Sequence, residues 1–146
     1  MLESLLQYGV MICIFGNMRQ LIYNAIKCLE CNEVLVSYTP HDYKTCSCPN
    51  AAMVDGGTMY ERYGATDLDK IEKLFIYADD DFEIVRKYAV RGSRGVDGKQ
   101  PLTYIPICDI KDDYLWAILE YGGADWHLDL IRKEIKYRED ERGNKV

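Results

Sequence analysis

Two pairs of cysteines constrain this chain more than any other feature of its sequence. Cys28 and Cys31 form a Cys-x-x-Cys pair, and Cys46 and Cys48 form a Cys-x-Cys pair. Two close pairs separated by a hairpin-sized segment can bring four sulfurs around one tetrahedral ion, and Zn²⁺ is the usual occupant of such a site. The sequence therefore predicts a structural Zn²⁺ site within a zinc-ribbon-like β region.

The tighter spacing of the second pair leaves alternatives open. An ordinary zinc knuckle has two residues between its cysteines, so the four thiols could instead form a buried cluster without a metal. A redox Cys-x-x-Cys is a further alternative, although no helical pattern follows Cys28 to lower the pKa of its thiol. His41 is either a substitute ligand, if Cys46 or Cys48 points away, or a residue that orients the hairpin through hydrogen bonds.

Length and composition predict one α+β domain. The chain has 146 residues, of which 48% are hydrophobic and twelve are tyrosines, a composition typical of a packed globule. We expect an N-terminal extension over residues 1–25 and a zinc-ribbon-like β region over 26–58. A mainly helical region with one strand should follow over 59–138, and a frayed tail over 139–146.

Charge and the N-terminal sequence bear on location and partners. The formal net charge of −6 counts against general binding to nucleic-acid phosphates. The chain starts with an acid rather than the basic region of a signal peptide, and its most apolar window, Tyr8 to Phe15, is too short to span a bilayer. We therefore expect a cytoplasmic protein with no membrane partner, whose paired cysteines hold metal and whose Cys13 and Cys108 are buried thiols.

Local patterns predict the individual elements. Strand formers are found at residues 34–38, 43–45 and 101–107. Capping residues and apolar spacing predict five helices: Met18 to Ile26 after Asn17, Leu68 to Phe75 after Thr66, Phe82 to Val90 after Asp79–Asp81, Tyr114 to Tyr121 after Asp109–Asp113, and Trp126 to Arg138 after Asp125. The three aspartates at 79–81 suit a helix N-terminus better than a calcium loop, whose ligands alternate.

Asp55, Gly56 and Gly57 are the first set of candidate binding residues outside the cysteines. They predict a tight turn with positive φ angles. A phosphate-cradling loop is the alternative, although no lysine or strand–loop–helix frame accompanies the glycines.

The second set lies in the segment from Arg91 to Lys99. Arg91, Arg94 and Lys99 stand among three glycines in an otherwise acidic chain. Arginine forks bind carboxylates and phosphates, and glycines let the backbone approach a ligand. We expect a loop that contacts an anion or a partner. The alternative is a solvated loop whose arginines pair with acids of neighbouring helices.

Several segments together resemble a family of small phage and prophage proteins of unknown activity. The resemblance covers residues 26–138, and family members begin near Ile26. It is carried by Cys28-x-x-Cys31, His41-Asp-Tyr43, Cys46-Ser-Cys48, Val54-Asp-Gly-Gly57, Arg91-Gly-x-Arg94-Gly-x-Asp97-Gly-Lys-Gln-Pro-Leu102 and Lys133-Glu-Ile-Lys-Tyr-Arg138. It implies a phage-encoded accessory protein and brings no catalytic residues with it.

From these observations we expect a non-enzymatic accessory protein that binds a host protein, for example one that defends against phage. Tyrosine and arginine, the residue types common in binding hot spots, would make the contact. The alternatives are a nucleic-acid-binding zinc ribbon and a sponge for a small signalling nucleotide held by Arg91 and Arg94. Catalysis is disfavoured, because four thiolates close a zinc site and neither histidine lies in a recognisable constellation.

Overall fold

The computed structural model describes residues 10–14 and 19–144 and has an α+β fold. Asn17 and the side chain of Cys13 lie outside the described residues. The chain divides into two compact units, Met1–Asp79 and Asp80–Val146. Within the described ranges, no helix combines the length and the apolar composition that a membrane crossing requires.

The first unit consists of short antiparallel strands in two groups. One sheet has the order β1-β6-β5-β4, and in the other group β2 pairs with β3, β7 and β8. The strands are β1 Val10–Ile14, β2 Leu21–Cys28, β3 Val34–Ser37, β4 Lys44–Thr45, β5 Met53–Asp55, β6 Glu61–Ala65, β7 Ile71–Lys73 and β8 Ile76–Tyr77. The β-rich character predicted for residues 26–58 is confirmed, and strands β6, β7 and β8 extend it into residues predicted to be mainly helical.

The core of the first unit lies between these two groups of strands. Ile26 and Leu35 on one side pack with Val54 and Tyr63 on the other, and the cluster includes the side chain of Cys28. Ile26 and Val54 are completely buried. The cysteine turns therefore extend directly from the hydrophobic core.

The helix predicted from Met18 to Ile26 is wrong, because its described part forms strand β2. Burial follows neither helical nor strand periodicity, since six of the eight residues in β2 are buried. β2 pairs through both of its edges, and those pairings satisfy its backbone groups. Residues 21–25 thus belong to the central strand of the first unit.

The helix predicted from Leu68 to Phe75 is also wrong. Asp67 caps a single 3₁₀ turn, Leu68–Lys70, by accepting a hydrogen bond from the backbone N–H of Asp69 at 3.0 Å. The chain then extends into β7, which pairs with β2. The edge of β2 opposite β3 decides the outcome. Pairing with β7 satisfies backbone groups along that edge, which a second helical turn would leave without partners.

The second unit contains the three predicted C-terminal helices and one hairpin. The hairpin joins β9 Val90–Ser93 to β10 Thr103–Pro106, so Arg91 lies in a strand rather than in a loop. The helices are α1 Phe82–Tyr88, α2 Asp112–Tyr121 and α3 Asp125–Gly143.

The caps and ends of these helices differ in part from the prediction. Asp81 caps α1 and Gly122, with φ of 91°, ends α2, as expected. Lys111 and Ala124 occupy the cap positions of α2 and α3, which have no side-chain cap. Helix α3 continues to Gly143, past the predicted end at Arg138 and into the segment expected to fray.

A buried carboxylate holds the second unit together. Glu134 in α3 has no exposed surface, and it accepts two hydrogen bonds from Arg86 of α1, at 2.8 and 2.6 Å. Arg138 donates to the same carboxylate at 2.9 Å and to the backbone oxygens of Ile107 and Cys108. Both oxygens of the Glu134 carboxylate therefore accept hydrogen bonds from arginine side chains, which offsets the cost of burying its charge.

We expect Glu134→Ala to lower the free energy of unfolding by about 3–5 kcal/mol, because it leaves the largely buried guanidinium of Arg86 without its carboxylate and removes one of the partners of Arg138. Urea denaturation followed by tryptophan fluorescence measures this change, since Trp116 and Trp126 both lie in the second unit. Asp129→Ala, which breaks the exposed Arg132–Asp129 pair on the same helix, is the matched control and should leave the midpoint unchanged. Equal midpoints for the two variants would contradict the role assigned to Glu134.

Candidate metal centre

Each pair of cysteines lies in the turn of its own antiparallel hairpin. Cys28 ends β2 and Cys31 lies in the turn to β3, whereas Cys46 and Cys48 lie in the turn from β4 to β5. The sequence predicts one hairpin between the two cysteine pairs, but the structure has two hairpins, because β3 pairs with β2 and β4 pairs with β5. The turns of these two hairpins bring the four cysteines together.

The four sulfurs lie at distances that suit one tetrahedral ion. The Sγ atom of Cys48 is 3.5 Å from that of Cys28 and 3.6 Å from that of Cys46. All four Sγ atoms lie within 4.8 Å of one another. A tetrahedron with metal–sulfur bonds of about 2.3 Å has edges of roughly 3.8 Å, so the donor set fits a metal of the size of Zn²⁺. Cys28, Cys31, Cys46 and Cys48 are therefore brought together as the spacing predicts.

Left-handed residues close both turns. Asn32, with φ of 63°, donates its N–H to the backbone oxygen of Cys28 at 2.7 Å. Ala51 has φ of 49°, and the N–H of the next residue, Ala52, points at the Sγ atom of Cys46 at 3.2 Å. A left-handed alanine costs about 1–2 kcal/mol, which N–H···S and core contacts have to offset. The left-handed Ala51 closes the turn that leads the chain from Cys48 back to β5, with its N–H donating to the backbone oxygen of Cys48 at 3.0 Å.

The thiols differ in burial and in acidity. Cys28 and Cys46 are buried, Cys48 is half-buried and Cys31 is exposed. Burial acts to raise the pKa of the Cys28 thiol, but the backbone N–H groups of Cys31 and Glu30 and the neighbouring thiols outweigh it and lower that pKa to about 6. Burial, with the neighbouring thiols, raises the pKa of Cys48 to about 12. A divalent ion would displace the remaining protons on binding.

Asn50 joins the second cysteine turn to the rest of the unit. This residue is 2% exposed, and its Oδ1 accepts the N–H of Asp67 at 2.8 Å. Its Nδ2 lies 3.4 Å from the backbone oxygen of Lys70 and 3.9 Å from the sulfur of Cys28. The prediction of the site from sequence did not include this residue. The signal it offered was an asparagine two residues after Cys48, in a segment of turn-forming residues.

His41 does not take part in the sulfur cluster. Its Nδ1 lies 3.4 Å from the hydroxyl of Tyr60, and the two rings meet edge to face. With φ of 66°, His41 is the left-handed residue of the turn between β3 and β4. The structure thus favours the hydrogen-bonding interpretation of His41 over the substitute ligand.

The backbone groups of the turn at Asp55, Gly56 and Gly57 form hydrogen bonds within the protein. The N–H of Gly56 donates to Asp55 Oδ1 at 2.8 Å, and the N–H of Gly57 donates to Ser37 Oγ at 3.0 Å. Buried Asn24 donates its amide to the backbone oxygens of Asp55 and Gly57, at 3.0 and 2.9 Å. These N–H groups are used internally, which supports a structural turn over a phosphate cradle.

The three basic candidate residues, Arg91, Arg94 and Lys99, lie on the β9–β10 hairpin of the second unit. Arg94 and Lys99 are exposed in its connecting loop, and Val96 at the tip is fully exposed. Asp97 shapes the loop by accepting the N–H of Lys99 at 2.9 Å and the amide of Gln100, bonds that lower its pKa. Among the described residues, neither these two cations nor Arg91 forms an ion pair, so the alternative of internal pairing with acids of neighbouring helices is not seen there.

The comparisons with known proteins bear on the first unit. A family model described as a domain of unknown function (DUF7695) matches residues 20–65. That segment begins before β2, contains all four clustered cysteines and ends with β6. Neither a search of curated proteins nor a search of solved structures found a match. The chain is thus similar to this domain over the part that carries the candidate metal centre.

We expect Gly57→Ala to destabilise the first unit severely. Its φ of 55° disfavours any side chain, and an added Cβ would lie 2.4 Å from the carbonyl carbon of Thr39. Gly98→Ala is the matched control, because Gly98 has φ of 71° but open space around its Cβ position. It should cost only the conformational strain of about 1–2 kcal/mol. Differential scanning calorimetry compares the two, and a Gly57→Ala protein as stable as Gly98→Ala would contradict the buried-turn interpretation.

Proposed function

We propose that this protein is a non-enzymatic binding protein whose first unit is stabilised by one structural Zn²⁺ ion. The convergence of Cys28, Cys31, Cys46 and Cys48 from two turns carries this proposal. Four thiolates complete a tetrahedral coordination shell and leave no position for a catalytic water. The ion would therefore contribute to folding rather than to chemistry.

The histidines support a non-catalytic role. His41 is engaged with Tyr60 in the first unit. In the second unit burial, followed by the charge of Arg91, lowers the pKa of His127, which favours a neutral ring. A general base needs a substrate-facing position beside a nucleophile or a metal-bound water, and neither histidine supplies one.

The β9–β10 hairpin is the proposed contact surface. Its loop presents Arg94, Val96 and Lys99 to solvent, and the charges lack internal partners among the described residues. Such a combination of an apolar tip and free cations suits an acidic patch on another protein. The net charge of −6 argues against a nucleic-acid backbone as the main target.

The finer proposal is that the protein is a phage-encoded accessory factor that acts in the host cytoplasm on a host protein, such as one that defends against phage. The resemblance of residues 26–138 to small phage and prophage proteins supports it. A small signalling nucleotide is the second candidate ligand, because three cations on one hairpin suit phosphates as well as carboxylates.

We expect Cys28→Ser and Cys46→Ser each to abolish stoichiometric zinc and to lower the unfolding midpoint strongly, since a buried ligand is lost. Elemental analysis and thermal unfolding of the purified proteins measure both effects. Cys108→Ser, outside the cluster, is the control and should keep the parent metal content and stability. Parent-like zinc content and melting in both ligand variants would refute the site, and iron in place of zinc would refute the identity of the ion.

We expect Arg91→Ala/Arg94→Ala, and likewise Arg94→Ala/Lys99→Ala, to abolish partner binding without changing the circular dichroism spectrum. Affinity capture from host lysate, followed by native mass spectrometry, compares the variants with the parent protein. Lys87→Ala/Lys111→Ala removes two exposed cations elsewhere in the second unit and should bind like the parent. Undiminished capture by the hairpin variants would refute the hairpin as the contact, and a nucleotide in place of a protein would favour the second candidate.

A further inference from the structure

The second unit carries a groove between its last two helices. The groove has a volume of about 530 Å³. Its lining comes from one face of α2 and one face of α3: Trp116, Leu119, Arg132, Ile135, Lys136, Glu139 and Asp140. We infer that a second copy of this chain docks on this groove, with the two α3 helices antiparallel about a two-fold axis.

The floor of the groove is apolar and open. Trp116 is 54% exposed, although tryptophan is among the residues that gain most from burial. Leu119 and Ile135 beside it are only partly covered. An exposed tryptophan flanked by aliphatic side chains is the typical centre of a binding hot spot.

The charges on α3 have an order along the helix. Arg132 and Lys136 form the basic half of the groove edge, and Glu139 and Asp140 form the acidic half. The centres of the two halves are roughly 8 Å apart at about 1.5 Å of rise per residue. The edge of the groove therefore carries positive charge at one end and negative charge at the other, rather than charge of one sign.

This order is not explained by interactions within the chain. Among the described residues, Lys136, Glu139 and Asp140 form no ion pair, and Arg132 pairs only with exposed Asp129. Acidic side chains in the last turns of a helix oppose the helix macrodipole, which favours cations there. The charges thus lower the stability of the isolated helix slightly and point to an external complement.

A second copy supplies that complement. An antiparallel two-fold arrangement places the basic half of each α3 against the acidic half of the other, and every pairing occurs twice. A partner surface of one sign would instead meet repulsion at one half of the groove. The same arrangement brings the two Trp116 side chains into the closed interface.

Two complementary charge-reversal variants test this dimer. Arg132→Glu/Lys136→Glu makes the edge wholly acidic, and Glu139→Lys/Asp140→Lys makes it wholly basic. We expect the parent protein to sediment as a dimer, each variant alone to raise the dimer dissociation constant at least about tenfold, and an equimolar mixture to restore a heterodimer. Trp116→Ala should weaken the parent dimer by a similar factor.

Two controls distinguish the loss of the proposed interface from misfolding and from a general effect of charge. Lys87→Glu/Lys111→Glu changes the same number of charges at exposed positions outside the groove and should dimerise like the parent. Heterodimer formation in the mixture shows that both reversal variants are folded. A parent protein that stays monomeric at about 100 μM, well above the Kd of a specific dimer, would overturn the inference. Reversal variants that dimerise like the parent, or a mixture with no heterodimer, would also overturn it.

Discussion

Convergence of four cysteine sulfurs is the constraint on which the first unit depends. The strands beside the second turn are short, with two residues in β4 and three in β5, and strands of this length are not stable by themselves. The turn that joins them also contains a left-handed alanine. An ion bound by both turns would tie these weak elements to β2, the longest strand of the unit. Because Cys28 also packs in the hydrophobic core, metal binding and core formation would be coupled.

In each unit, a buried polar side chain also fixes how the strands, turns or helices are positioned against one another. In the first unit, Asn24 donates its amide to three backbone oxygens around the Gly56–Gly57 turn. In the second unit, Glu134 accepts hydrogen bonds from two arginines. Apolar burial alone tolerates many arrangements, whereas the N–H donors of a buried amide and the oxygens of a buried carboxylate find partners in few. These two residues therefore help to specify one arrangement in each unit.

The cluster and the C-terminal helices were predictable because their signals are local. The spacing of the cysteines suffices to predict the four-sulfur group, and helices α1 to α3 follow from apolar spacing and from glycine at the end of α2. The apolar spacing around Ile22 and Leu68 predicts helices, but the same spacing also suits the strand β2 and the 3₁₀ turn with β7 that these segments form. Their strand pairing depends on residues distant in sequence, which local patterns do not contain. Local patterns do not predict the burial of Glu134 for the same reason, since its partner Arg86 lies on another helix.

Zinc K-edge X-ray absorption on the purified protein reports directly on the ligands of a bound ion. We expect one zinc per chain with a first shell of four sulfurs at about 2.3 Å. Such a shell requires all four clustered cysteines as thiolates on one ion. A shell that contains nitrogen or oxygen would show that the coordination is not the closed four-sulfur site, and a protein purified without metal would reduce the cysteines to packing residues. Either result would be incompatible with a structural zinc site formed by Cys28, Cys31, Cys46 and Cys48.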